Sequence, residues 1–252
     1  RQMCIRDRQY MAWLISSVTD KTSKVAEYIL AAREMGISIL PVDVNKSVAE
    51  FGVEGKNIRF GFNAVKSMGR PTITAIIEER TNNGDFHSMQ DFITRMAGVI
   101  NKRTVEHLIL AGAFDTFGNT RRGMMNVYER MIDSAVKQNK DAISGQMSLF
   151  DFVSEEDKQS LEMKVPDIQE FEKEDLLERE KEVLGVYVTG HPLDEYTGMW
   201  EKHISARSTD FLIDEETGQA KLMNGSKQTI GGLISNIKVI TTGSGQQMAY
   251  LT

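Results

Sequence analysis

One cysteine, four prolines and four histidines in 252 residues set the first limits. A lone Cys4 can form no internal disulfide and supplies no cysteine-rich zinc site. His87, His107, His191 and His203 stand at no metal-ligand spacing. Long apolar runs are missing as well. Nothing approaches the roughly 18 residues of a membrane span, and the charged stretch Arg1 to Arg8 lacks the sustained apolar core of a secretory signal. A basic excess is also missing, since the net charge is −6. What remains is a hydrophobic content of 40%, enough for packed cores in one large domain or two to three small ones, in a reduced, cytoplasmic setting.

The negative charge is uneven. Ser154 to Glu182 holds 12 acidic and 5 basic residues, a local balance of −7 that leaves the rest of the chain at +1. The overall acidity therefore does not exclude contact between nucleic acid and a smaller, locally basic region.

Apolar spacing predicts helices over Tyr10 to Val18 and from Thr22 or Ser23 to Gly36, the latter with Val25, Tyr28, Ile29, Ala32 and Met35 on one face. Ile37 to Leu40 reads as a short strand, and Glu54 to Asn57 as the turn of a hairpin. Pro71 suits the first turn of a helix running to Arg80. Met89 to Met96 is a further helix. Asn101 and Asn119 are expected to cap two more, the second running from Thr120 to Val136, followed by a linker from Lys137 to Gly145. An acidic helix is expected over Ile168 to Tyr187, ended by Gly190-His191-Pro192. From Thr229 the pattern changes to strands, with a turn at Thr242 to Gly245.

Two turns carry chemistry. Val65-Lys66-Ser67-Met68-Gly69-Arg70 runs apolar, polar, small, apolar, glycine, and resembles a helix-hairpin-helix module. Gly69 is expected to take the left-handed conformation and, lacking a Cβ, to let main-chain N–H groups meet a phosphate. The next helix directs its positive end there, and Lys66, Ser67 and Arg70 flank the site. The second turn, Ala111 to Asp115, is centred on Gly112, with Lys102 and Arg103 before it and Arg121 and Arg122 after it. Phe114 is expected to pack between the helices. A tandem of such hairpins would touch both strands across one minor groove and hold a duplex without reading its sequence. The competing reading is structural: glycine turns and solvated cations occur in any helical domain, and surface charge accounts equally for Arg121 and Arg122.

A third feature is Gln146-Met147-Ser148-Leu149-Phe150, an apolar cluster headed by an amide inside a polar stretch. Leu149 and Phe150 are costly to leave in water, which marks a docking peptide for another protein's pocket. It resembles the motif by which bacterial DNA polymerases hold the sliding clamp.

The runs DKTSKVAEYILAAREMGISILPVDVNKS, IRFGFNAVKSMG, NKRTVEHLILAGAFD, QMSLF and EREKEVLGVYVTGHPLDEY occur in that order. Together they resemble the bacterial replicative DNA polymerase III alpha subunits, the C-family polymerases, from about Tyr10 to Thr252. The resemblance implies a mainly α chain with a small β part. Residues 1–9 would be a non-native start, 10–47 the end of a fingers domain, and 48–136 a tandem helix-hairpin-helix domain that binds duplex DNA. Residues 137–165 would be a linker with the clamp-binding motif, 166–205 a helical connector, and 206–252 an incomplete oligonucleotide-binding (OB) fold. Implied partners are primer–template duplex, the sliding clamp, single-stranded template through a complete OB fold, and other replicase subunits through regions outside this chain. No membrane is involved, and the setting is cytoplasmic and nucleoid-associated.

Two departures bear on the first hairpin: Ser67 stands where the family often has glycine, and Pro71 removes one N–H donor. Members of the family bind two magnesium ions with palm-domain aspartates for nucleotidyl transfer. That region precedes Tyr10 in the family order. No catalytic residue, metal ligand or cofactor is therefore expected here, and the DNA-directed DNA polymerase activity belongs to the intact protein. Asp43, Glu78, Glu79, Glu155, Glu156, Asp157 and His191 read as turn or solvated residues. Two alternatives are an error-prone C-family paralogue and a stand-alone clamp-tethered DNA-binding adaptor.

Overall fold

The computed structural model describes residues 5–143, 163–206, 208–211, 213, 220–234, 236–243 and 245–251. They fall into two units, Arg1–Thr189 and Gly190–Thr252.

The first unit opens with α1 (Ile5–Ser16), which buries Met11, Ala12 and Ile15. This helix starts ahead of the expected Tyr10, because Arg6 to Gln9 include good helix formers that extend the same turn register. Helix α2 (Thr22–Glu34) buries Val25, Ile29 and Ala32, spaced by four and three residues along one face. A small sheet follows in the order β1 (Ile39–Leu40), β3 (Asn57–Arg59), β2 (Gly52–Glu54). Strand β1 runs parallel to β3, with Ile39 opposite Ile58, and β2 pairs antiparallel through the expected turn.

Helices α3 (Arg70–Asn83), α4 (Met89–Arg95), α5 (Lys102–Leu110) and α6 (Arg121–Ile143) build most of the rest of the core, which Val183, Leu184, Val186 and Val188 complete. Ser88 and Asn101 cap α4 and α5 through side-chain oxygens that accept from Asp91 N at 3.0 Å and Thr104 N at 2.9 Å. Phe86, Phe92 and Phe114 form a buried edge-to-face row with centroids 5.0 and 5.1 Å apart, so Phe114 does pack between the helices. Two expectations for α6 change. Thr120, not Asn119, caps it, its Oγ1 accepting from Gly123 N at 3.1 Å. The helix also continues through the supposed linker to Ile143, since no glycine or proline interrupts it before Gly145.

The acidic helix is shorter than expected. Residues 166–172 lack helical structure, and α7 spans Lys173–Leu184. Gly185 closes it in the left-handed conformation, five residues before Gly190. Glu180 is fully buried there, yet its carboxylate accepts from Val188 N at 2.6 Å and Thr189 N at 3.0 Å. The turn after α7 thus satisfies a charge that would otherwise be costly to bury.

The second unit holds α8 (Thr197–His203) and an antiparallel hairpin of β4 (Ile237–Thr241) and β5 (Gln247–Leu251), with Ile237 opposite Leu251. The strands flank the expected turn, but the first begins at Ile237 rather than near Thr229, since residues 229–234 form no strand. The fold is mainly helical with small sheets. No described helix is long and apolar enough to cross a membrane.

Candidate nucleic-acid interface

The first hairpin enters through a 3-10 turn, Phe62–Ala64. Gly61 precedes it because the chain passes against the backbone of residues 49 and 50. A Cβ at Gly61 would stand 2.4 Å from the Glu50 carbonyl, where Phe62 N and Asn63 N each donate, at 2.9 Å, to Val48 O and Ala49 O. The turn itself differs from the expectation. Ser67 takes the left-handed conformation at φ 66°, the single non-glycine residue with positive φ among those described. Gly69 is extended instead, at φ −83° and ψ 149°, and forms the N-cap of α3 without a side-chain acceptor.

That geometry leaves donors open. Among the described residues, no chain acceptor bonds the main-chain N–H of Ser67, Gly69, Arg70 or Thr72. They lie at the positive end of a 14-residue helix. Pro71, with no N–H, occupies the first turn as expected. Arg70 is exposed beside them and has no carboxylate partner among the described residues. Lys66 is spent differently. Its N–H donates to Val183 O at 3.0 Å and its ammonium to Glu182 O at 2.6 Å, so it closes the C-terminal end of α7. His107 on α5 donates from Nδ1 to Lys66 O at 2.7 Å. The turn is thereby clamped between α5 and α7.

The second hairpin is built on Gly112, left-handed at φ 81°. A Cβ there would stand 2.3 Å from Arg121 Nη2 and 2.8 Å from Asp115 Oδ2. Those two atoms belong to an ion pair at 2.6 Å, with a second bond from Arg121 Nε to Asp115 Oδ1 at 3.0 Å and a third from Nη1 to Leu110 O at 2.9 Å. Arg121 is only 3% exposed. Burial opposes its charge, and the Asp115 carboxylate, with Glu180 and Glu170, more than offsets this, so its pKa lies above the ordinary arginine value. The structure therefore turns Arg121 inward as a strut of the hairpin, away from any phosphate.

Lys102 is also engaged. Its ammonium lies 3.2 Å from Glu129 and 3.0 Å from Asp133, and hydrogen bonds to these carboxylates raise its pKa. Arg103 and Arg122 are exposed, with no carboxylate on either side chain among the described residues. The N-terminus of α6 is filled. Glu170 accepts from Arg121 N at 2.7 Å and Arg122 N at 3.0 Å. Sequence reasoning missed this residue. The available signal was a helix start whose third position is Gly123, with no acidic side chain to serve the first turn locally.

The structure thus brings Ser67, Gly69 and Arg70 to one open cluster and leaves Arg103, Gly112 and Arg122 at a hairpin already closed. Gln146, Met147, Ser148, Leu149 and Phe150 lie outside the described residues. Among the described residues, no three His, Cys, Asp or Glu side chains gather as a metal site.

The comparisons agree with this architecture. Residues 36–124 match the family model of the helix-hairpin-helix motif. The DNA polymerase III subunit alpha of Thermus aquaticus is 36% identical over 249 residues, covering 97% of this chain and 19% of the relative. That of Mycobacterium leprae is 34% identical over 230 residues, covering 91% and 19%. That of Vibrio cholerae serotype O1 is 31% identical over 246 residues, covering 97% and 20%. The chain spans about a fifth of the length of these curated relatives. With the same named protein recurring over nearly all of its residues, the chain belongs, as a segment, to the family of DNA polymerase III alpha subunits.

Proposed function

We propose that this segment holds primer–template duplex by its backbone phosphates within a replicative polymerase and ties that polymerase to the sliding clamp. The observation that carries the first part is the open cluster of N–H groups at Ser67, Gly69, Arg70 and Thr72. Peptide N–H groups converging at a helix start suit a phosphodiester, whose charge the helix dipole favours. Arg70 adds a mobile charge, while Arg103 and Arg122 extend the field along the surface. Such contacts position a duplex without reading its bases, which suits a polymerase that must copy any sequence.

In this reading Gln146 to Phe150 is the clamp tether. Leu149 and Phe150 each contribute about 1.5–3 kcal/mol by leaving water, and linkage to a DNA-holding module multiplies that modest affinity. Residues 10–47 serve as the end of the fingers, and the β4–β5 hairpin as part of an OB fold that holds single-stranded template. Template-directed synthesis resides in the intact protein. The acids described here offer no magnesium ligand set, so no step through that metal is assigned to this segment.

The test is duplex binding by the chain across a salt series. Arg70→Ala is expected to flatten the slope of log K against log salt by about one unit, with thermal stability unchanged. Failure of the chain to bind duplex at low ionic strength, or a slope that Arg70→Ala leaves as it was, removes the DNA reading. The clamp part is tested separately. Leu149→Ala with Phe150→Ala should abolish clamp binding and spare duplex binding, and an unaltered clamp affinity rejects it.

A further inference from the structure

The two hairpins also differ at the start of the helix that follows each turn. The first turn of α3 is open, whereas the first turn of α6 already carries an anion from its own chain. Thr120 Oγ1 takes the Gly123 N–H, and the Glu170 carboxylate takes those of Arg121 and Arg122 at 2.7 and 3.0 Å. A third donor, Phe171 N, reaches the same carboxylate at 2.9 Å. Two oxygens on one negative centre thus face successive N–H groups at the start of a 23-residue helix, the end whose dipole favours an anion.

A second, independent observation is Gly123. Glycine inside a helix costs about 0.5–1 kcal/mol relative to alanine, and α6 nevertheless has one in its first turn. A Cβ there would stand 2.6 Å from Pro166 O and 3.1 Å from Val165 Cγ1. The helix surface is hollowed to seat the irregular segment that carries Glu170. Ile168 O accepts from Thr120 Oγ1 at 3.0 Å and fixes the same segment. Met163 and Val165 pack against the core while only partly buried, and Glu170 itself is half-buried. Its charge can pass into water without leaving a buried ion behind.

We propose that Glu170 is a built-in competitor of the DNA backbone at the second hairpin. Its carboxylate occupies the phosphate position on α6, and the segment 165–170 must lift before that hairpin can take a phosphate. The tandem would then hold DNA first through the open hairpin at Ser67–Thr72, and through the second only once Glu170 is displaced. This rests on the duplex-binding reading above.

The experiment measures binding of the chain to a fluorescent duplex with a recessed 3′ end, by anisotropy over a salt series. Variants are Glu170→Ala, Glu170→Gln and, as a control for simple loss of negative charge, Glu172→Ala. Glu172 is exposed, and its side chain bonds none of these groups. Glu170→Ala is expected to bind several-fold more tightly than Glu172→Ala and to steepen the salt slope by about one unit, the signature of one added phosphate contact. Glu170→Gln keeps an acceptor oxygen without the charge and should fall between wild type and Glu170→Ala. A folded Glu170→Ala no tighter than Glu172→Ala overturns the proposal. If thermal denaturation shows that Glu170→Ala does not fold, Glu170→Gln decides by the same comparison. Absence of binding by wild type would instead defeat the underlying reading. Wild-type binding that Arg70→Ala weakens, with both Glu170 variants equal to the control, would defeat this inference alone.

Discussion

Replacing Ser67 by glycine should stabilise the protein, although it removes atoms from a hairpin that the fold depends on. Ser67 sits at φ 66°, where an L residue brings its Cβ against the following carbonyl oxygen. That conformation costs about 1–2 kcal/mol, and glycine adopts it freely. Glycine in turn has more freedom to lose from the unfolded chain, which offsets about 0.5–1 kcal/mol. No hydrogen bond involves the Ser67 hydroxyl among the described residues, so nothing else is lost. The net gain is about 0.5–1 kcal/mol. For a protein of this size that corresponds to a rise of about 1–4 °C in midpoint. Thermal and urea denaturation followed by far-ultraviolet circular dichroism, which reports the helical first unit, would measure it. Ser67→Ala is the control, expected within a few tenths of a kcal/mol of wild type, because alanine meets the same Cβ conflict. A Ser67→Ala as stable as Ser67→Gly, or a destabilised Ser67→Gly, refutes the reasoning.

Gly69→Ser reverses the usual expectation for a hairpin glycine. The extended backbone and the open space, with Pro71 Cδ 3.7 Å from a new Cβ, let serine cap Thr72 N–H. Stability should rise by about 0.5 kcal/mol while duplex affinity falls, and a variant with unchanged affinity argues that this donor meets no phosphate. Arg121→Ala should cost about 1–3 kcal/mol in urea denaturation, by leaving the buried Leu110 O without its donor while the exposed Asp115 carboxylate turns to water; a stable variant that merely binds DNA less well would return Arg121 to the surface. Tyr128 is buried, and its hydroxyl donates to Glu129 at 3.3 Å. Burial, followed by the charges of Glu106 and Glu129, pushes its pKa up to about 12. A raised folded-state value means this stabilisation is complete below the ordinary tyrosine range near pH 10 and disappears as pH climbs through about 12. Spectrophotometric titration should show one late phenol ionisation that Tyr128→Phe removes; identical curves for the two proteins refute it.

Most secondary structure was legible because it rests on neighbours along the chain. The stripe Val25, Ile29, Ala32 placed α2, Asn101 marked the start of α5, and Thr242 to Gly245 marked the β4–β5 turn. The errors share another cause. Helix α6 outran its expected end, and α7 began late because residues 166–172 are held by the side of α6 rather than by their own helical bonds.

The sequence by itself determined which residue types converge on each turn, the order of the helices, and a family resemblance that the relatives bear out. Only the tertiary structure decided what each polar group does. Lys66 closes a helix end 116 residues away, Arg121 turns in against Asp115, and Glu170 reaches the N–H of Arg121 49 residues back. Only the packed turn shows that Ser67, not Gly69, bears the left-handed conformation. Propensity and periodicity act over one or two turns of chain. The fate of a charge depends on which distant donor or acceptor packing brings within 3 Å, and local sequence carries no record of that distance.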